Sequence, residues 1–192
     1  IFCMADVSGK GIPAALLMSN FQANLHALLP HMDSLSELVS LLNAKVFQSA
    51  KGEKFITFFI GRYHALTSEL HYVNAGHNPP FLIHEKVVYM LNEGSTGLGM
   101  FESLPFINSG KVFIPPNAML HCYTDGVTDV ENDAGMEFGM DRLRGFLTSK
   151  NQLHDMEELH RQLIASLSSF RQSKNYTDDI TLLSCWFKNL ST

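Results

Sequence analysis

Three aspartates stand where an apolar, strand-like run meets a turn. Asp6 follows Ile1-Phe2-Cys3-Met4-Ala5, and Asp125 follows Met119-Leu120-His121-Cys122-Tyr123-Thr124 and precedes Gly126. Asp178 comes just before Ile180-Thr181-Leu182-Leu183-Ser184-Cys185-Trp186. If the third run is a strand antiparallel to the other two, its start and their ends meet at one edge of a sheet, and the carboxylates converge. Convergent carboxylates repel, and a low-dielectric edge raises their pKa values. A divalent cation removes that penalty. Oxygen donors without a His or Cys cluster favour Mg²⁺ or Mn²⁺ over zinc. Two such ions can share one water, make it more acidic and aim it at phosphorus for in-line attack. Gly9 and Gly11 let the backbone pass close to metal or phosphate. Plainer explanations exist as well: an Asp beside a Gly after a strand is an ordinary turn residue, and Asp178 could be a strand-capping surface acid. Spacing alone leaves the two explanations level.

The elements that must position these residues are legible in outline. Asp6-Val7-Ser8-Gly9-Lys10-Gly11 is a glycine-punctuated turn. Pro13 then suits a first helical turn, and Ala14, Leu17, Met18, Phe21, Leu25 and Leu28 recur at helical spacing until Pro30. Ser34 and Glu37 form a capping box for a second helix with Leu35, Leu38, Val39, Leu42 and Val46 on one face. Strands are predicted over residues 55–63, 69–73, 81–84, 87–91, 111–114, 118–124 and 180–187. Two further helices are predicted over residues 140–147 and 156–170. Strands adjacent in sequence, with helices in pairs, indicate an α+β fold with mainly antiparallel sheet rather than alternating βαβ units.

Composition narrows the function classes. The chain has 192 residues, 45% hydrophobic and 17% charged, which suits one domain with a substantial core, 1–192, and argues against disorder. A net charge of −5 with scattered Lys and Arg gives no nucleic-acid footprint. Apolar runs stay well short of a bilayer span. Cys3, Cys122 and Cys185, each in a strand-like run, fit reduced thiols in a cytoplasmic setting. The first residues already read as a buried strand, so the expectation is a domain lacking its N-terminal strands.

Four segments resemble the motifs of bacterial SpoIIE-like and RsbU-like serine/threonine phosphatases of the PPM (protein phosphatase 2C-like) superfamily. They are Asp6-Val7-Ser8-Gly9-Lys10-Gly11-Ile12-Pro13-Ala14-Ala15, Asn74-Ala75-Gly76-His77-Asn78-Pro79-Pro80, Tyr123-Thr124-Asp125-Gly126-Val127-Thr128-Asp129 and Thr177-Asp178-Asp179-Ile180-Thr181-Leu182-Leu183. They occur in the family's order. The resemblance implies a four-layer α-β-β-α sandwich with two Mn or Mg ions at one end. Asp6 would bridge both ions, joined by the Val7 carbonyl, while Asp125 and Asp178 complete the protein ligands and Asp179 supports them. The implied activity is hydrolysis of phosphoserine or phosphothreonine on a signalling partner such as an anti-sigma-factor antagonist. An upstream sensor, receiver or coiled-coil segment would exert control, and the helices over residues 13–29 and 34–49 are candidate switch elements.

Two departures from the pattern matter. A Gly-Gly-Asp motif that the family carries upstream is absent, so weak metal occupancy and strand exchange between chains, a possible homodimer, are expected. Ser8 stands where eukaryotic relatives have a His that protonates the leaving group. His77 is a substitute acid on paper, although turn histidines of this kind are more often structural. Lys10 reads as a surface lysine or a phosphate contact. Asp129 and Glu131 read as helix-start acids or further metal or substrate contacts, and His26, His31 and His160 lack partners at ligand spacing. The competing function classes are a regulatory module that keeps the fold without catalysis, and a receiver domain, which would need βαβ alternation.

Overall fold

The computed structural model describes residues 1–188 apart from 151 and 154. Its elements run β1 (Phe2–Val7), α1 (Ile12–Leu28), α2 (Leu35–Ala50), β2 (Ile56–His64), β3 (Glu69–Ala75), β4 (Phe81–His84) and β5 (Val87–Met90). They continue with β6 (Gly94–Ser95), β7 (Gly110–Phe113), β8 (Met119–Tyr123), α3 (Asp125–Thr128), α4 (Gly139–Ser149), α5 (Met156–Arg171) and β9 (Leu182–Trp186). The chain divides into two units, one of Ile1–His77 with Leu91–Phe113 and the other of Asn78–Met90 with Ile114 onward.

The first unit is a sheet covered by two helices. Its strands are ordered β1-β2-β3-β6, with β7 also on β3, and all pairings are antiparallel except the short β3–β6 one. Helix α1 has Pro in its first turn and buries Ala14, Leu17, Phe21 and Leu25. It gives way to a 3₁₀ turn, Leu29–His31, that contains Pro30, because proline cannot supply the N–H that another α-helical turn needs. The predicted capping box is present: the Ser34 hydroxyl accepts from the Glu37 N–H at 3.2 Å. The period-2 residues Ile56, Phe58 and Ile60 of β2, with Val73 and Ala75 of β3, meet Leu38, Val39, Leu42 and Val46 of α2 in one core. Each of the larger side chains among these contributes about 1.5–3 kcal/mol when removed from water. Asn43 is buried there, donating to the carbonyls of Phe101 and Glu102 and accepting from the Gly99 N–H at 2.8 Å. That side chain ties the 99–102 loop to α2.

The second unit has a wholly antiparallel sheet, β5-β4-β8-β9. Leu143 and Leu147 of α4 and Leu159, Leu163 and Leu167 of α5 pack with Phe81, Ile83 and Tyr123. Pairing Tyr123 with Leu182 places the end of β8 beside the start of β9. The antiparallel sheets exclude a receiver domain and bear out the α+β reading. The sequence misses β6, whose two residues are too few for periodicity, and α3, a single turn. Strand β9 also starts two residues later than predicted, for a reason that belongs to the site. No helix of the described residues is long and apolar enough to cross a membrane.

His160 does have a partner. The Ser184 hydroxyl lies 2.7 Å from His160 Nε2 and 2.7 Å from His121 Nδ1, linking α5, β9 and β8. Burial, with the neighbouring His160 second, pushes the His121 pKa down to about 3, and burial lowers that of His160. Both histidines are therefore neutral when folded and protonate readily when unfolded. The folded-state values lie below the ordinary 6.5, so this contribution is complete above pH 6.5 and is lost as pH falls toward 3. Because the slope of about 1.4 kcal/mol per pH unit is only half developed at pH 6.5, His121 alone accounts for roughly 2 kcal/mol between pH 6.5 and 4.5. Urea melts at the two pH values are expected to show that loss largely abolished in His121→Asn. An equal loss in both proteins would reject this account.

Candidate metal and active site

Asp6 is the last but one residue of β1. Alternation puts it on the same face as Phe2 and Met4, whereas Ala5 and Val7 pack toward the helical core of the first unit. Its cross-strand neighbour is Thr57, whose hydroxyl lies 2.9 Å from His77 Nδ1. His77 is buried, and its backbone N–H donates to Asn74 Oδ1 at 2.8 Å. Asn74 also donates to the Leu91 carbonyl at 3.1 Å. Such ties give Asn74 and His77 a structural role within the middle motif.

The turn after Asp6 is held from the side. Ser8 exchanges bonds with Phe55: its N–H donates to the Phe55 carbonyl, and its hydroxyl accepts from the Phe55 N–H, each at 2.9 Å. Lys54 Nζ donates to the Ser8 carbonyl at 3.3 Å. Gly9 has φ +85°, a conformation that side chains rarely adopt, so the turn needs glycine there. Lys54 is a residue of this turn that sequence reading missed. It sits 46 positions beyond Ser8, and only strand pairing brings it back. Lys10 is exposed.

In the second unit, β8 ends at Tyr123 and Asp125 opens the single turn of α3. Asp125 Oδ1 is buried with no hydrogen-bond partner. Burial first, then the charges of Asp129 and Asp178, raise the Asp125 pKa. Asp125 and Asp178 are thus brought together, as their strand ends require. Asp178 is exposed, and its own Oδ1 accepts from the Asp179 N–H at 3.0 Å. Gly126 lies against the same segment: a Cβ there would be 2.2 Å from the Asp179 carbonyl oxygen. After Thr124 the chain turns into α3 and the strand ladder stops, so β9 begins only at Leu182.

Two expectations need correction. Asp6 does not share a sheet with Asp125 and Asp178, since β1 pairs with β2 while β8 pairs with β9. A single common sheet edge is therefore not how the three aspartates are related. Nor are Asp129 and Glu131 helix-start acids. Asp129 is the C-cap of α3, where its Oδ1 accepts from the Thr128 hydroxyl at 2.9 Å, and Glu131 pairs with Lys174 at 2.5 Å.

Comparison with known proteins settles the family. The sequence model of stage II sporulation protein E (SpoIIE) matches residues 1–188. The chain belongs to the SpoIIE family. This SpoIIE-family chain is 28% identical over 182 residues to phosphoserine phosphatase RsbU of Bacillus subtilis (strain 168), covering 94% of the chain and 53% of RsbU. It thus spans about half the length of that relative. Among solved structures, the SiaA-PP2C domain of Pseudomonas aeruginosa superposes with a TM-score of 0.81 at 18% identity, over 97% of this chain and 75% of that one. The catalytic domain of the serine/threonine protein phosphatase PstP, in complex with 2 manganese ions, gives a TM-score of 0.68 at 12% identity, over 97% and 87% of the two chains. These likenesses establish the PP2C fold.

Among the described residues, no three His, Cys, Asp or Glu side chains stand together as a ready-made metal-binding group. The donor atoms nonetheless suit a hard ion. Asp125 Oδ1 is a buried oxygen without a donor, and Asp178 and Asp129 add repulsion that protonation or a cation relieves. A carboxylate pair of this kind matches Mg²⁺ or Mn²⁺.

Proposed function

We propose that this chain is a protein phosphatase domain that uses Mn²⁺ or Mg²⁺ to hydrolyse phosphoserine or phosphothreonine on a signalling protein. The observation that carries the proposal is the buried, unpartnered Asp125 oxygen beside Asp178 in a SpoIIE-family chain. Asp125 and Asp178 would hold a divalent ion, and the family motif also implies ligand roles for the Asp6 carboxylate and the Val7 carbonyl. Divalent ions held there supply charge neutralisation and Lewis acidity for phosphate-ester hydrolysis.

This chain's own residues keep the ligands in place. Gly126 lets the turn bearing Asp125 lie against the 178–179 backbone, and Lys54 with Ser8 braces the turn after Asp6. The Ser8 hydroxyl accepts from the Phe55 N–H, which braces the turn. The substrate class follows from RsbU, which is named a phosphoserine phosphatase. A phosphorylated anti-sigma-factor antagonist is the partner proposed. Release of inorganic phosphate from such a phosphoprotein, dependent on added Mn²⁺ and lost in Asp178→Ala, tests the proposal. Metal-independent release would overturn it. Binding of the phosphoprotein with no hydrolysis would favour a non-catalytic interaction module.

A further inference from the structure

We infer that the Thr124 hydroxyl is a positioning group that fixes the Asp178–Asp179 segment against Asp125, and through it the geometry available to a metal ion. The consequence for the ion rests on the metal-dependent reading of the site, whereas the positioning itself does not.

Thr124 is buried and is the N-cap residue of α3. Threonine at that place ordinarily accepts from an N–H of the first helical turn. Here it makes no such bond. Its hydroxyl instead donates to the Asp179 carbonyl at 3.2 Å and accepts from the Thr181 N–H at 3.0 Å. Its own N–H donates to the Thr181 carbonyl at 3.2 Å.

The reason lies in the backbone. Past the Thr124 N–H the chain turns into α3, so β8 has no further main-chain groups to offer the strand opposite. Asp179 C=O and Thr181 N–H, which flank Ile180, would lose their ladder partners. One hydroxyl meets both, as acceptor for one and donor to the other. It thereby stands in for the missing rung. Both bonds are part-buried, and a hydrogen bond of this kind contributes about 0.5–1.5 kcal/mol net to holding the segment in place. The segment pinned this way carries Asp178, and the residue that pins it is covalently next to Asp125. Gly126 sets how closely the two backbones approach, and Thr124 sets their register.

The test uses the chain as it stands, with Thr124→Val, which keeps shape and removes the hydroxyl, and Thr124→Ser, which restores it. Amide hydrogen exchange without metal is expected to accelerate at least tenfold at residues 179–181 in Thr124→Val, with α1, α2 and β2 unchanged, and to return toward the original in Thr124→Ser. Mn²⁺ affinity, measured by calorimetry, should fall about tenfold or more in the valine variant and recover in the serine variant. Unchanged exchange at 179–181 in Thr124→Val, or serine as damaging as valine, would overturn the inference. Accelerated exchange with no Mn²⁺ binding even by the unaltered chain would leave the positioning role standing and refute the metal site. Should Thr124→Val fail to fold, exchange in the unaltered chain decides. A Thr181 amide as fast as that of exposed Asn175 would reject the bond, and a slowed one would support it.

Discussion

Asn in place of Asp125 is expected to reduce Mn²⁺-dependent phosphate release on the order of a thousandfold or more, and at the same time to make the metal-free protein no less stable. The two halves of this expectation have one cause. Without an ion, the Asp125 carboxylate is a charge that burial and the neighbouring Asp129 and Asp178 disfavour, with one oxygen lacking any donor. Asparagine has nearly the same shape, removes the repulsion and offers a donor to a neighbouring carboxylate. With an ion, the carboxylate supplies charge that an amide cannot, and several kcal/mol of transition-state stabilisation disappears with it. The thermal midpoint of the native protein should rise with Mn²⁺ as binding draws the equilibrium toward the folded state. That rise should be absent in Asp125→Asn. Activity within tenfold of the original, or an undiminished Mn²⁺ shift, would remove Asp125 from the ligand set.

Alanine at Gly126 is the second large effect. Its Cβ would lie 2.2 Å from the Asp179 carbonyl oxygen and 2.9 Å from the carbonyl carbon. Both atoms are backbone, held by the Thr124 bonds, so no flexible side chain can yield. Forced overpacking of this kind costs about 1–3 kcal/mol. The 178–179 segment must move away from Asp125, so hydrolysis should fall at least a hundredfold even where the protein remains folded. Gly145 is the control. It lies within α4, and a Cβ there meets nothing within 4 Å. Gly145→Ala should leave activity unchanged and raise stability by up to about 1 kcal/mol, the difference in helix propensity. Comparable activity in the two variants would show that the contact at Gly126 is not a constraint on the site.

Much of this molecule is written in short stretches of chain. The Ser34–Glu37 cap, the apolar faces of α1, α2 and α5, and the alternation in β2 depend on neighbours a few residues apart. Their physics is local: helical and strand periodicities, side chains that satisfy the first N–H groups of a helix, and a proline that cannot continue one. The three aspartates at the ends of apolar runs were legible for the same reason, as was the oxygen-only donor chemistry that points to Mg²⁺ or Mn²⁺.

Which strand lies beside which depends on the burial of whole faces, and no local pattern encodes it. Tertiary structure decided that β1 pairs with β2 whereas β8 and β9 pair in another sheet, so the three aspartates are not gathered along one edge. It also decided that Asp125 opens a helical turn and that Ser184 joins His121 to His160. Thr124 spends its hydroxyl on Asp179 and Thr181, 55 and 57 residues away. A hydroxyl can serve equally as a helix cap or a cross-strand tie, and its partner is settled only when the remote backbone arrives with unpaired groups.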